Sequence, residues 1–510
     1  MVFLSLPQGL TKGRFLAAIG LALLATPKAA NAQTVAVRQR ILAEGSTAQT
    51  PCYVLRAKEP GPTILIIGGM HGNEPAGAAA AEQIASWQFN RGTLVIVPQA
   101  NVLALQARKR RTPGLTGNAG DLNRAFPIGN SPRNGIATAL WSLVETYKPD
   151  WVIDLHEGFD FHRSNPKSVG SSIIHSAQKR ARVLATKMIA AVDATIKSKG
   201  QRFDRIQTQV AGSLARAAWE NAGIPSMIIE TTNKTHALSY RVRQHRLLIH
   251  TLLHELGLTP SPPTTVLGPT ALKATPSADL LRVAVFDGGG TGKNAARHMR
   301  SVLETADNCL VRQVGSHDIR AGVLSQFDII VHPGGSGSGQ AKALGKSGRA
   351  AEVQFVRRGG GYLGVCAGAY LAASNYDWSL GLLDANVIDR KHWRRGVGPV
   401  DVEWTPAGRS SLSPGSTATT NTRFVIQYAN GPIFEAAGKG ELEDFETLIF
   451  FRGEITENGA PTGVMPNTPA VVRSNFGKGR AMAFSPHPEK TIGLYALLKN
   501  ALTWLANQHD

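Results

Sequence analysis

The stretch TILIIGGMHGNEPAG, Thr63 to Gly77, ends an apolar run on two glycines and then presents His71 and Glu74 three positions apart. A His-x-x-Glu pair can set two metal ligands on one side of a tight turn. A third ligand candidate closes another apolar run: His156 in WVIDLHEG, Trp151 to Gly158. Two imidazoles and one carboxylate leave a coordination position open, as catalytic zinc requires. Zinc suits this set best, while ligand type alone leaves Mn, Fe or Co open. Between the two segments lies a basic, polar stretch, ARKRRTPGLTGNAGDLNRAFP. There Arg124 could clamp a carboxylate through two parallel hydrogen bonds, and Asn123 could add an amide contact. Arg110 or Arg111 could stabilise the oxyanion formed when water adds to an amide carbonyl. Arg108 and Lys109 read as a solvated surface cluster.

A second constellation lies downstream. Gly364-Val365-Cys366-Ala367-Gly368 is a G-x-C-x-G elbow between an apolar run and a helix-forming stretch. Small flanking residues allow a sharp turn, and a helix N-terminus after the cysteine would lower the thiol pKa. HPGGSGSG, His332 to Gly339, offers backbone N–H groups at Gly334 or Gly335 that could form an oxyanion hole with Ala367. FSPHPEKT places His487 and Glu489 two apart, again just after an apolar run. Nucleophile, base and orienting carboxylate complete a triad logic. A ligand-binding domain that keeps the constellation, or a buried inert Cys366, are the other readings.

These residues need elements to hold them. Apolar runs alternate with Ala-rich helical stretches on both sides of LTPSPPTTVLGPTALKATPSAD, Leu258 to Asp279, a segment rich in Pro, Thr and Ser. The pattern predicts two α/β domains with mostly parallel strands, over residues 33–257 and 280–510, joined by a linker over 258–279. Sites are then expected at the carboxyl ends of strands. With 43% hydrophobic and 18% charged residues in 510, the chain is long enough for two cores and is not of disordered composition.

The first 32 residues read as a cleaved secretory leader: Lys12 and Arg14, the apolar FLAAIGLALLA, then ANA at Ala30 to Ala32. A periplasmic or secreted protein is expected, with no membrane span after cleavage. The formal charge is +19, three of it carried by the leader's Lys12, Arg14 and Lys28. Such a surplus favours anionic surroundings. Nucleic acid is not expected as a partner, because the basic clusters are short and no nucleic-acid-binding module is evident. Three cysteines, Cys52, Cys309 and Cys366, make no disulfide framework; a Cys52–Cys309 bond is left open by spacing.

GGMHGNEPAG, DLNRAFP, DLHEG and PSMIIETT, in this order, resemble the succinylglutamate desuccinylase/aspartoacylase branch of the zinc carboxypeptidase superfamily, over roughly Thr63 to Leu258. The resemblance implies an α/β/α sandwich with a mixed sheet and one Zn2+ on His71, Glu74 and His156. It also implies that Glu230 activates water and then protonates the leaving amine, and that Asp154 orients a ligand histidine. Cys366 followed about 120 residues later by His-x-Glu is similar to the class I glutamine amidotransferase, flavodoxin-like fold. HPGG…RRGGGYLGVCAGAYLAA is closest to the domain at the N-terminus of some biotin–protein ligases. Biotin transfer is not implied, since the ligase catalytic domain is absent from this sequence.

The expectation is an exported zinc-dependent amide hydrolase, with Glu230 as general base and Arg111 as oxyanion arginine, acting on an acylated amino acid or short peptide. Its substrates would include peptidoglycan fragments, and its second domain would carry the Cys366, His487, Glu489 constellation. Two alternatives are a zinc carboxypeptidase trimming stem peptides and an envelope-binding protein with degenerate enzyme domains.

Overall fold

A computed structural model describes residues 35–260, 280–306, 308–413 and 422–506. The expected leader over 1–32 and residues 261–279 of the expected linker lie outside them. Leu258, the first residue of that linker, is buried in the first domain, where its carbonyl accepts from the Asn90 N–H at 2.8 Å.

The first sheet has eight strands: β1 (Ala36–Leu42), β2 (Thr50–Arg56), β3 (Glu59–Gly68), β4 (Arg91–Val97), β5 (Trp151–Gly158), β6 (Ser172–His175), β7 (Asp204–Gln207) and β8 (Ser226–Thr232). Their order is β1-β2-β4-β3-β5-β8-β6-β7. The four central strands β4, β3, β5 and β8 run parallel, whereas β2 pairs with β1 and β4, and β6 with β8, in antiparallel fashion. The sheet is therefore mixed, as the resemblance implied. Parallel strands covered on both faces need apolar residues at successive positions rather than at alternate ones. Ile64, Ile66, Ile153 and Ile229 accordingly face one core with the helices Pro75–Ile84, Lys179–Asp193 and Leu238–Glu255. Leu65, Ile67, Val95 and Val152 face the other core, with the helices Gly135–Tyr147 and Leu214–Ala222.

The second domain contributes β9 (Leu281–Phe286), β10 (Cys309–Val314), β11 (Ile329–His332), β12 (Gly361–Val365), β13 (Ala385–Ile388), β14 (Val397–Trp404), β15 (Arg423–Ala429), β16 (Ile433–Ala436), β17 (Glu446–Phe451), β18 (Pro469–Phe476) and β19 (Gly479–Phe484). Its large sheet runs β10-β9-β11-β12-β19-β18-β17-β14-β15. The first five strands of that order are parallel, and the rest are antiparallel. Strands β13 and β16 form a separate antiparallel ribbon. The antiparallel wing departs from the mostly parallel arrangement expected; short hairpin-like connections such as β18–β19 permit it without crossover helices.

The helix Leu238–Glu255 packs between the two domains and is buried along most of its length. Arg246 Nη1 donates to Gln83 Oε1 at 2.8 Å, and its Nη2 reaches Asp318 Oδ1 of the second domain at 2.6 Å, with both charges buried. The Ser239 N–H donates to Asp287 Oδ2 at 2.9 Å, and Arg312 Nη2 meets Glu82 Oε1 at 2.8 Å. Cys52 and Cys309 are both free thiols, so the bond left open by their spacing is not formed. Among the described residues no helix is long and apolar enough to cross a membrane.

Removing one partner of a buried ion pair leaves the other charge without compensation. Arg246→Met is therefore expected to lower unfolding free energy by about 3–5 kcal/mol in denaturant titration, whereas Arg246→Met combined with Asp318→Leu should recover most of that loss.

Candidate functional site

The carboxyl ends of three adjacent parallel strands bring the first group together. Strand β3 leads into the turn that carries His71 and Glu74; β5 carries His156; β8 carries Glu230, directly opposite His156 in the β5–β8 register. One ligand atom each from His71, Glu74 and His156 lies within 4.8 Å of the others, and all three residues are buried. The convergence is specific by atom. His71 Nδ1 lies 2.8 Å from Glu74 Oε1, and His156 Nδ1 lies 2.9 Å from Glu74 Oε2. Both Nε2 atoms face outward to carboxylates: His71 Nε2 hydrogen-bonds Asp121 Oδ1 at 3.0 Å, and His156 Nε2 stands at ion-pair distance, 2.9 Å, from Asp154 Oδ2 without hydrogen-bond geometry. Outer carboxylates on the far nitrogens fix the tautomer and aim of ligand histidines. This donor set fits a zinc ion held by His71, Glu74 and His156.

Glycines make the turn possible. A Cβ at Gly72 would collide with the Ala104 carbonyl, and one at Gly77 with the Leu155 carbonyl of β5. The helix Pro75–Ile84 can thus lie against β5 at backbone distance. Glu157, next to His156, accepts from the Ala76 N–H at 2.9 Å in the first turn of that helix and pairs with buried Arg241. The Glu157 N–H in turn donates to Glu74 Oε2 at 3.1 Å.

Charge is unevenly shared. Burial raises the Glu74 carboxyl, but the His71 and His156 imidazoles outweigh it and hold the group well below the usual range. Burial opposes a charged His156, yet Asp154 and Glu74 together push its pKa well up. Glu230 is pushed up to about 8: burial dominates, His156 opposes it, and the Glu74 and Asp154 carboxylates reinforce it. A buried carboxyl with such an affinity for a proton is suited to general base and acid work near neutrality.

Arg110 enters this cluster, with Nη1 3.2 Å from Glu74 Oε1 and Nε 3.2 Å from Asp121 Oδ2. Arg111, the other arginine that the sequence left open for the oxyanion role, does not; its Nη1 donates to the Gly117 carbonyl at 2.7 Å. Of the two, Arg110 is the one beside the cluster. Bonds from Gly72 N–H to Lys109 O (2.9 Å) and from Thr112 N–H to Gly120 O (2.8 Å) set the path of the segment. That path turns one side chain inward and its neighbour outward. Asn123 and Arg124 lie on the short turn after Asp121, whose Oδ1 accepts from the Asn123 N–H at 3.2 Å. Asn123 Oδ1 is buried with no partner among the described residues, leaving a free acceptor beside the cluster. Asp121 went unnoticed in the sequence, although DLNR contains it. Its one signal there was its place two residues before Asn123.

The second group forms at the end of β12. Val365 pairs with Phe484 of β19, so Cys366 and His487, just beyond these partners, come to the same edge of the sheet. Cys366 has φ of 51°, a left-handed conformation that side chains rarely adopt, and it immediately precedes the helix Ala367–Ala372. Gly364 and Gly368 allow it: a Cβ at either would strike the Gly368 or His332 carbonyl. His487 Nδ1 lies 2.6 Å from Glu489 Oε1, both buried. Burial opposes protonation of His487, but Cys366 and Glu489 push it up to about 9. A Cβ on Gly334 would stand 2.9 Å from His487 Cε1 and 3.8 Å from Cys366 Cβ. Gly334, Gly335, Cys366, His487 and Glu489 share a cavity of about 890 Å3. Ala367 follows the thiol as the first residue of its helix.

Residues 60–255 match the family described as succinylglutamate desuccinylase/aspartoacylase catalytic domain, and residues 281–394 match the family described as biotin-protein ligase, N terminal. The two domains thus resemble the two families that the motifs indicated. Over 114 residues the chain is 33% identical to an N-alpha-acetyl-L-2,4-diaminobutyric acid deacetylase of Halomonas elongata. That match takes in 21% of this chain and 32% of the relative's length. Similar solved structures include product-bound cell shape determinant protein Csd4 of Helicobacter pylori, at 18% identity and TM-score 0.36, covering 51% of this chain and 68% of that one. Another is a succinylglutamate desuccinylase/aspartoacylase of Rhodobacter sphaeroides, at 19% identity and TM-score 0.34, covering 45% and 67%.

Loss of an outer carboxylate usually weakens metal affinity by about 10–100-fold. Asp121→Asn and Asp154→Asn should each do so in competition with a zinc chelator, and unchanged affinity in both would remove the orienting role. At the second site, His487→Ala should slow alkylation of Cys366 by iodoacetamide at pH 7 by about tenfold or more, since an adjacent base is what activates such a thiol. Equal rates in the two proteins would remove His487 as the activating base.

Proposed function

We propose that the protein is an exported amide hydrolase that releases an acyl group from an amino acid or short peptide, with its first domain holding one zinc ion on His71, Glu74 and His156. The observation that carries this reading is the pairing of both inward Nδ1 atoms with one carboxylate while both outward Nε2 atoms meet Asp121 and Asp154. A bound zinc ion supplies Lewis acidity, polarising a carbonyl and making water more acidic. The chain's own residues do the rest. Arg124 and the Asn123 side-chain NH2 donate to the substrate's carboxylate end, and the unpartnered Asn123 Oδ1 accepts from a substrate N–H. Arg110, drawn to the cluster by Glu74 and Asp121, stands ready for the negative charge that develops on the carbonyl oxygen. Glu230 accepts a proton from water at its carboxylate and returns it to the departing nitrogen.

The second domain adds a Cys366, His487, Glu489 hydrolase centre, with Gly334, Gly335 and Ala367 as its oxyanion donors. The leader in the sequence and the chain's positive charge support action on anionic envelope material such as peptidoglycan fragments.

Hydrolysis of N-acyl amino acids and of free-carboxylate peptides by the mature protein tests the reading, and the preferred class separates deacylase from carboxypeptidase. Glu230→Gln should retain zinc yet lower kcat by about 10^2–10^4-fold, the usual reach of a positioned acid–base group. A variant as active as the parent on every substrate would overturn the role of Glu230.

A further inference from the structure

A second cavity, about 970 Å3, lies between the domains. It is lined by Gly72 and Asn73, the two residues between His71 and Glu74, and by Arg108 beside them, where Gly72 N–H donates to the Lys109 carbonyl. It shares Arg108, Gly292, Lys293, Asn294 and Arg297 with the cavity that holds Cys366. The two cavities thus meet along a common rim, and the turn bearing the metal ligands opens onto the same continuous cleft as the thiol. Arg108 is the hinge of this observation. It belongs to the first domain, where its left-handed conformation (φ 52°) caps the helix Val102–Ala107, yet it lines the Cys366 cavity of the second. Arg108 is solvent-exposed, as its reading in a solvated surface cluster expects, and it also borders the Cys366 cavity.

The shared rim is cationic and uncompensated. Arg108, Lys293 and Arg297 are exposed, and none has an ion-pair partner among the described residues. Of the carboxylates that line the two cavities, Glu489 is paired with His487 and Asp318 with Arg246, while Asp287 is buried and accepts from the Ser239 N–H. A cleft with low-dielectric walls and one sign of free charge concentrates ligands of the opposite sign. Cys366 and His487 line one part of the cleft, Gly72 and Asn73 of the ligand turn line another, and buried contacts hold the two domains together between them.

We propose that the interdomain cleft binds a single extended peptide bearing carboxylates, its anionic middle on Arg108, Lys293 and Arg297, one end at the metal turn and the other at Cys366. The two centres then serve one substrate rather than two. This deepens the function proposed above and rests on it for the chemistry at the metal end alone.

The test reads Cys366, not hydrolysis, so it stands even if the metal reading fails. The full mature protein is alkylated with iodoacetamide in the presence of N-acetyl-tetraglutamate, its tetraglutamine analogue or tripolyphosphate, and each cysteine is followed by mass spectrometry. The acidic peptide should slow Cys366 labelling by about fivefold or more, with the glutamine analogue giving less than about twofold and Cys309 unaffected. Arg108→Glu, a change in the other domain, should abolish the protection, and Arg108→Lys should keep most of it. Equal protection by the glutamine analogue or by tripolyphosphate would overturn the carboxylate-peptide class. Undiminished protection in Arg108→Glu would overturn the shared cleft.

Discussion

Glu74 can bridge a histidine of its own turn and one of strand β5 because a helix and a strand touch there without a side chain between them. Gly77 meets the Leu155 carbonyl and Gly72 the Ala104 carbonyl so closely that a single methyl group would force the backbones apart. Pushing the helix Pro75–Ile84 off β5 would carry Glu74 away from His156 and break the bond from Glu157 to the Ala76 N–H. Everything downstream inherits this tolerance: the aim of both imidazoles, the position of Arg110 and the proton affinity of Glu230. Precise placement by close-packed backbone is stiffer than placement by side chains, which can change rotamer.

Both centres use the same solution to the same problem. Parallel strands end together at one edge, and the chain must turn away from that edge immediately if a functional group is to stay exposed there. In the first domain glycine supplies the turn before and after the ligands. In the second, Cys366 itself takes the strained conformation, and Gly364 and Gly368 make room for it. The strain is confined to one residue and is held by bonds on both sides, including Cys366 N–H to Phe484 O at 2.8 Å.

His71 and His156 were legible as candidate ligands because each follows an apolar run, a pattern that marks the end of a buried strand. The division into two α/β domains was legible for the same reason. What escaped was anything fixed by irregular backbone. Arg110 and Arg111 are neighbours of identical type, and which one turns inward depends on bonds to Gly72 and Gly120, far away in sequence. Asp121 carried no reading of its own beside Asn123 and Arg124, whereas its carboxylate holds His71. The antiparallel wing of the second sheet was hidden because strand direction is set by connection geometry, and periodicity does not record it.

Arg246, Gln83 and Asp318 tie the domains together through charges that water does not reach. Cut into two separate polypeptides, each half would present an ionised group from a formerly dry interior, along with the apolar surface around it. A fusion sealed in this way works as a ratchet on gene architecture: once the arginine and the aspartate have sunk into the joint, shedding either module carries a solubility penalty that no loss of catalytic need can offset.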